Sequence, residues 1–244
     1  MTDVDHQALD QRLRPFERTA WLPEVVDEDL LPAGSKFSGI PVLGPGEQWP
    51  PCGNCGRPMQ LFVQLDAADL PEEFAARLLG GLVQLFYCMR DDPFCASDCE
   101  AWAHHSRSTL VRLLPRELAD QRQRVVDPAP DMFPPQRVVG WTAVLDLPGS
   151  DELEELGVNL TDQECEALWQ RRRVPHDGSK LGGWPLWVQH VEYPNCRLCG
   201  RRMEMLFQLD AEDPVAYLFA AGGVGHITQC ATHRAEVAFG WACG

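Results

Sequence analysis

No apolar run in this 244-residue sequence reaches the roughly 18 residues that a membrane-spanning helix requires. The opening residues, MTDVDHQALD, are acidic and lack the basic-then-apolar order of a secretion signal. Both absences predict a soluble, cytoplasmic protein. Basic residues are scarce as well: 21 Lys and Arg face 36 Asp and Glu, a formal net charge of −15. Nucleic-acid affinity comes mostly from Lys and Arg on phosphates, so a nucleic-acid partner is disfavoured. A surface this acidic favours a basic protein partner, although acidity also serves solubility alone. Histidine is sparse too, with 7 residues, and no nucleophile–base–orienter set stands out among them. His104 and His105 beside Cys99 offer an enzyme reading its one thiol–imidazole pairing, and a solvated loop explains them better.

Cysteine is not scarce. Ten are present in a chain whose 45% apolar content can bury a core without disulfides. In a reducing compartment such a count points to metal sites. Their placement follows a duplication. Residues 35–67 slide onto 179–211 without a gap, at an offset of 144, with 14 identities in 33 positions. The match resumes after a two-residue slip, where GGLVQLFYC ends at Cys88 and GGVGHITQC at Cys230. Self-similarity of this kind marks a tandem repeat.

Each unit reads as strand, short helix, strand. MQLFVQLDA and MEMLFQLDA alternate apolar and mostly polar residues in one register, which predicts half-buried strands. LVQLFYC and VGHITQC predict second strands, each entered through Gly-Gly. Between them DLPEEFAARLLGG and EDPVAYLFAAGG carry Pro near a helix start and Gly past its end. Residues 106–124 predict a helix interrupted by Pro115, and the Pro-rich residues 125–136 an extended linker. RVVGWTAVLDLP predicts a strand, and Thr161 with Glu164 a capping box for a helix that stops before Pro175 and holds Cys165 as a core thiol. The repeated Ser-Lys-x-x-Gly-x-Pro lacks the spacing of a phosphate loop, and Pro41 and Pro185 favour a rigid turn. The expected architecture is an α+β fold of two tandem pseudo-symmetric repeats of antiparallel sheet with short helices, each with a zinc knuckle. Its parts are a helical or extended arm (1–34), repeat one (35–106), a helix and Pro-rich linker (107–136) and repeat two (137–244).

Zinc takes four N or S ligands in a tetrahedron, and a C-x2-C turn presents two thiolates from one tight loop. In the second repeat Cys196, Cys199, Cys230 and His233 complete such a set, with Cys243 as a distant substitute for His233. In the first, Cys52, Cys55 and Cys88 are joined by Cys95, the nearer choice after Pro93, or by Cys99. The competing explanation is ordinary buried thiols. Closed four-ligand sites are structural, so two structural zinc ions are expected.

SKLGGWPLWVQ, CRLCGRRMEMLFQLDA and GGVGHITQCATHRAEVAFGWACG resemble the YwqG-like family of bacterial proteins of unknown function. The same blocks are similar to programmed cell death protein two and its relatives, over roughly residues 35–100 and 137–244. The resemblance implies an α+β fold with internal pseudo-symmetry. The eukaryotic relatives act as chaperones of a basic ribosomal protein, and YwqG-like genes often lie near toxin systems. The expected function is therefore a non-enzymatic, zinc-stabilised acidic adaptor, immunity-like or chaperone-like, capturing a basic protein; an enzyme with Cys/His chemistry is the alternative. Trp49, Trp184 and Trp187 are candidate contact residues, with core packing the likelier use of any one.

Overall fold

Asp5 caps the first helix by accepting the backbone N–H groups of Gln7 (3.1 Å) and Ala8 (3.0 Å). The computed structural model describes residues 4–27, 33–90, 95–119, 133–211, 214–215 and 217–244. From that cap the chain runs through α1 (His6–Leu13), β1 (Arg18–Val26), β2 (Lys36–Phe37), β3 (Gln60–Asp66), α2 (Glu72–Arg77) and β4 (Leu82–Tyr87). It continues through α3 (Cys95–Asp98), β5 (Thr109–Leu114), α4 (Arg116–Ala119), β6 (Gln136–Asp146), α5 (Ser150–Glu155) and α6 (Asp162–Gln170). The last strands are β7 (Lys180–Gly182), β8 (Glu204–Asp210), β9 (Val224–Gln229) and β10 (Val237–Ala242).

These strands form one antiparallel sheet in the order β10-β9-β8-β7-β1-β6-β2-β3-β4-β5. It curls into a near-barrel whose end strands β5 and β10 meet. Trp241 fastens the seam: its backbone N–H donates to Trp102 O and its Nε1 to the Tyr87 hydroxyl, both at 3.1 Å. At the centre β1 pairs with β6 along its length. β1 also pairs with β7, and β6 with β2, so each long strand reaches across to the knuckle segment later or earlier in the chain. Inside, Phe62, Tyr87, Tyr217, Phe219 and Phe239 interlock, with Phe62 and Tyr87 stacked at 5.0 Å.

The register repeats along the sequence: Lys36 pairs with Gln64 and Phe37 with Val63, as Lys180 pairs with Gln208 and Leu181 with Phe207. The strands predicted to be half-buried are nearly covered on both faces, because their polar residues hold turns instead of facing water. Gln64 Oε1 accepts the Val42 N–H (2.9 Å) while its Nε2 donates to Gly34 O (2.8 Å). Gln208 does the same with Leu186 N (2.7 Å) and Gly178 O (2.8 Å). The Gly-Gly entries have a steric reason: a Cβ on Gly81 would stand 2.3 Å from Leu114 O, and one on Gly223 2.5 Å from Ala242 O.

Two helix expectations are corrected. Residues 109–114 are strand β5 rather than helix, since they complete a ladder on β4 from Leu82↔Leu114 to Tyr87↔Thr109. Only Arg116–Ala119, after Pro115, is helical, and most of the Pro-rich segment lies outside the described residues. No helix stands between β8 and β9 among the described residues, where the core claims Val215, Tyr217 and Phe219 and Phe219 and Ala220 take positive φ. Trp49 and Trp184 are buried, the core-packing use favoured for them, with their indole N–H groups bound to Met59 O (2.6 Å) and Phe16 O (2.7 Å). The predicted α2, the strand over 137–146 and the Thr161–Glu164 capping box are all present.

Lys180 is fully buried with Asp146, Nζ to Oδ2 at 2.8 Å, and Asp146 also accepts the N–H groups of His176 and Trp184, each at 2.7 Å. Removing one partner of a buried pair strands the other charge, so Lys180→Met is expected to lose about 3–5 kcal/mol in urea unfolding. Lys180→Met combined with Asp146→Asn should lose less than the two single changes together.

His226, paired with Gln208, is buried against Trp187 and its Nε2 has no hydrogen-bond partner among the described residues. Burial, then the charges of Lys180 and His104, lower its pKa from 6.5 to about 3, against a backbone bond to Leu186. The unfolded chain therefore takes up a proton below its ordinary pKa that the folded chain refuses until about 3. Stability falls with pH across that window, by about 2 kcal/mol from pH 7 to pH 5 for this group. His226→Gln should remove that share of the loss when unfolding is compared at the two pH values.

Candidate metal centres

Two tight turns are built alike. Cys52 N–H donates to Arg57 O (2.7 Å) and Gly56 N–H to Cys52 O (2.9 Å); Cys196 and Gly200 make the same bonds to Arg201 O and Cys196 O, each at 2.8 Å. Gly56 and Gly200 sit at φ 73° and 69°, the left-handed region that glycine enters without steric cost. Each turn thereby points two sulfurs at the end of the second strand of its half, where Cys88 follows β4 and Cys230 follows β9. Cys88 is held by its N–H on Ser108 O (2.9 Å) and Cys230 by its N–H on Glu236 O (3.0 Å).

The fourth donor differs between halves. In the first, Cys95 at the start of α3 stands 3.7 Å from Cys52, and Cys55 stands 3.6 Å from Cys88. In the second, His233 Nδ1 lies 3.6 Å from Cys196 and 3.9 Å from Cys230, with Cys199 3.7 Å from Cys230. In each group all four donor atoms fall within 4.8 Å of one another, so both groups can hold a metal ion. All eight residues expected from the sequence are thus brought together in their two sets. Cys99, Cys165 and Cys243 stand outside them, and Cys95 and His233 are the fourth members of the two groups.

Burial pushes the Cys52 and Cys88 thiols up. Against its own partial burial, Cys55 is brought down to about 7 by the Arg57 backbone N–H and the neighbouring thiols. The His233 N–H, 3.3 Å from the Cys230 sulfur, leads in bringing that thiol down to about 6. Each group so holds one readily ionised thiol, beside Cys52 and Cys88 in the first group and Cys199 in the second, whose pKa values are raised. Sequence reasoning missed Asn54, whose Nδ2 donates to the Cys95 sulfur (3.3 Å); its place inside the C-x2-C turn was the available signal. His104 and His105 form no hydrogen bond with Cys99 among the described residues. A Cβ on Gly240 would meet the His104 ring at 2.7 Å, so that imidazole packs closely against β10.

An antiparallel near-barrel with few short helices and two four-donor clusters is the class of protein that fold and sites define. Residues 35–229 match the family described as a domain of unknown function, DUF1963, and the chain belongs to that family. It is also similar to an uncharacterized protein, YpfL, of Salmonella typhimurium strain LT2, 43% identical over 49 residues. That stretch covers 20% of this chain and 12% of the relative's length. No helix among the described residues is long and apolar enough to cross a membrane.

The choice of fourth donor is open to test with cobalt as a spectroscopic probe. Cys95→Ser is expected to lose one of two equivalents of thiolate-bound cobalt, and Cys99→Ser to keep both, in a titration of the charge-transfer absorption.

Proposed function

We propose that the chain is a non-enzymatic, zinc-stabilised protein-binding module that captures a basic partner, built by duplication of one knuckle-and-sheet unit. The observation that carries it is the pair of four-donor clusters on an acidic chain. A tetrahedron with Zn–S bonds of about 2.3 Å has edges of about 3.8 Å, and the sulfur–sulfur separations of 3.6–3.7 Å support zinc at both positions. Four protein donors per ion leave no open position for a substrate, which supports a structural role. The shared register of β2–β3 and β7–β8 at the offset of 144 supports the duplication. Two loaded sites bring the charge to about −18, as coordinated thiolates add more negative charge than each ion removes.

A field of that sign steers a basic protein and repels phosphate backbones. This agrees with an immunity-like or chaperone-like role of the kind the YwqG-like resemblance implies, in a reducing, cytoplasmic setting that keeps thiols free for metal. The test is affinity capture from an extract of the native host with the zinc-loaded chain. A basic protein retained at low ionic strength and released as salt rises is the expected result; no retained protein at low salt contradicts the reading.

A further inference from the structure

A cleft of about 590 Å3 opens where β1 and α2 meet β7, β8 and α5. Met203, Met205, Phe74 and Leu156 give it an apolar lining, and three arginines reach into it. Two of these are engaged. Arg202 donates to Glu152 (3.0 Å) and Glu155 (2.8 Å), and Arg77 to Gln229 Oε1 (3.2 Å) and Met205 O (3.4 Å), with Glu204 at 3.7 Å. Arg18 differs. Its guanidinium lies 3.3 Å over the ring of Trp184, and among the described residues its one hydrogen bond is long, 3.5 Å to Gly183 O. No carboxylate lies within ion-pair distance of it among the described residues. The platform beneath is fixed, because Trp184 is buried and its Nε1 donates to Phe16 O.

The positions 144 residues earlier carry other chemistry. Arg202, Glu204 and Met205 align with Pro58, Gln60 and Leu61. Trp21 pairs with Leu181 as Gln136 pairs with Phe37, so Phe133, three residues before Gln136, stands where Arg18 stands before Trp21. That phenylalanine packs edge-on against Phe62 at 5.9 Å. Equivalent strand positions thus carry a ring packed against the core in one half, and in the other a cation at the wall of a cleft.

We propose that the cleft binds a monocarboxylate with an apolar tail, its carboxylate seated on Arg18. A guanidinium held flat on an indole presents parallel N–H donors along its edge, the geometry that matches a carboxylate in two-point contact. The cleft is also lined by Glu73, Glu152, Glu155 and Glu204, which oppose a dianionic phosphate more strongly than a single negative charge. The thioethers and the Phe74 ring take the tail. A free organic acid and the C-terminus of a peptide present the same group. The inference is independent of the metal clusters and of the basic partner.

Calorimetric titration of the full chain tests it with four probes: N-acetylleucine, its primary amide, phenyl phosphate, and a short glycyl peptide ending in leucine with a free carboxylate. Saturable binding of N-acetylleucine is expected, with the amide about tenfold weaker or worse, as loss of a two-point charged contact implies. Arg18→Met should weaken the acid by about the same factor. Leu156→Trp, which fills the cleft from its rim and leaves Arg18 in place, should weaken it too, both variants keeping wild-type circular dichroism. Tighter binding of the peptide than of N-acetylleucine supports the site with a chain terminus as the source; weaker binding supports it with a free acid. The proposal is overturned by absence of acid binding, by equal binding of acid and amide, by tighter binding of phenyl phosphate, or by unchanged affinity in a folded Arg18→Met.

Discussion

Four donor atoms gathered within 4.8 Å constrain each half of this fold more than any other feature, because thiols so placed resist ionising together. Two thiolates 3.6 Å apart, as Cys55 and Cys88 stand, would repel by about 4–5 kcal/mol at an effective dielectric of about 20. A divalent cation bound between them would reverse the sign of that term. A cation held there would link a turn, the end of a buried strand and a third segment, and metal binding and folding would become one equilibrium. The spread of the cysteine pKa values expresses the same tension, with Cys55 and Cys230 drawn down while burial holds Cys52 and Cys88 up.

Around the clusters the sheet binds the two halves into one body. β1 lies between β6 and β7, and β6 between β1 and β2, so neither half can leave without breaking the central pair. At the seam, Trp241 of the last strand bonds to Tyr87 of the fourth. The cleft at Arg18 exists because of this exchange: β1 brings a residue from the start of the chain to the edge of the later knuckle segment.

Much of this was legible in the sequence. The four-donor groups were, since a C-x2-C turn at a constant distance from a strand leaves few ways to complete four donors; the choices of Cys95 over Cys99 and of His233 over Cys243 required three dimensions. The inner strands were legible as well, though not their burial, because a glutamine that holds a turn and one that faces water have the same place in a periodic pattern. Strand β5 was misread for a related reason: TLVRLL carries no alternation, and its ladder partner lies more than twenty residues earlier. Residues 217–223 before β9 look helical by propensity, and tertiary demand for Tyr217 and Phe219 in the core overrides it. Arg18 gave no local signal at all. Its meaning depends on Trp184, which reaches it only through the pairing of β1 with β7.

The most direct measurement is native mass spectrometry of the chain purified without chelators, read beside the denatured mass. Two zinc ions per chain, lost together with the cooperative thermal transition when a strong chelator is added, is the result this account predicts. A metal-free native mass with an unchanged transition would contradict it.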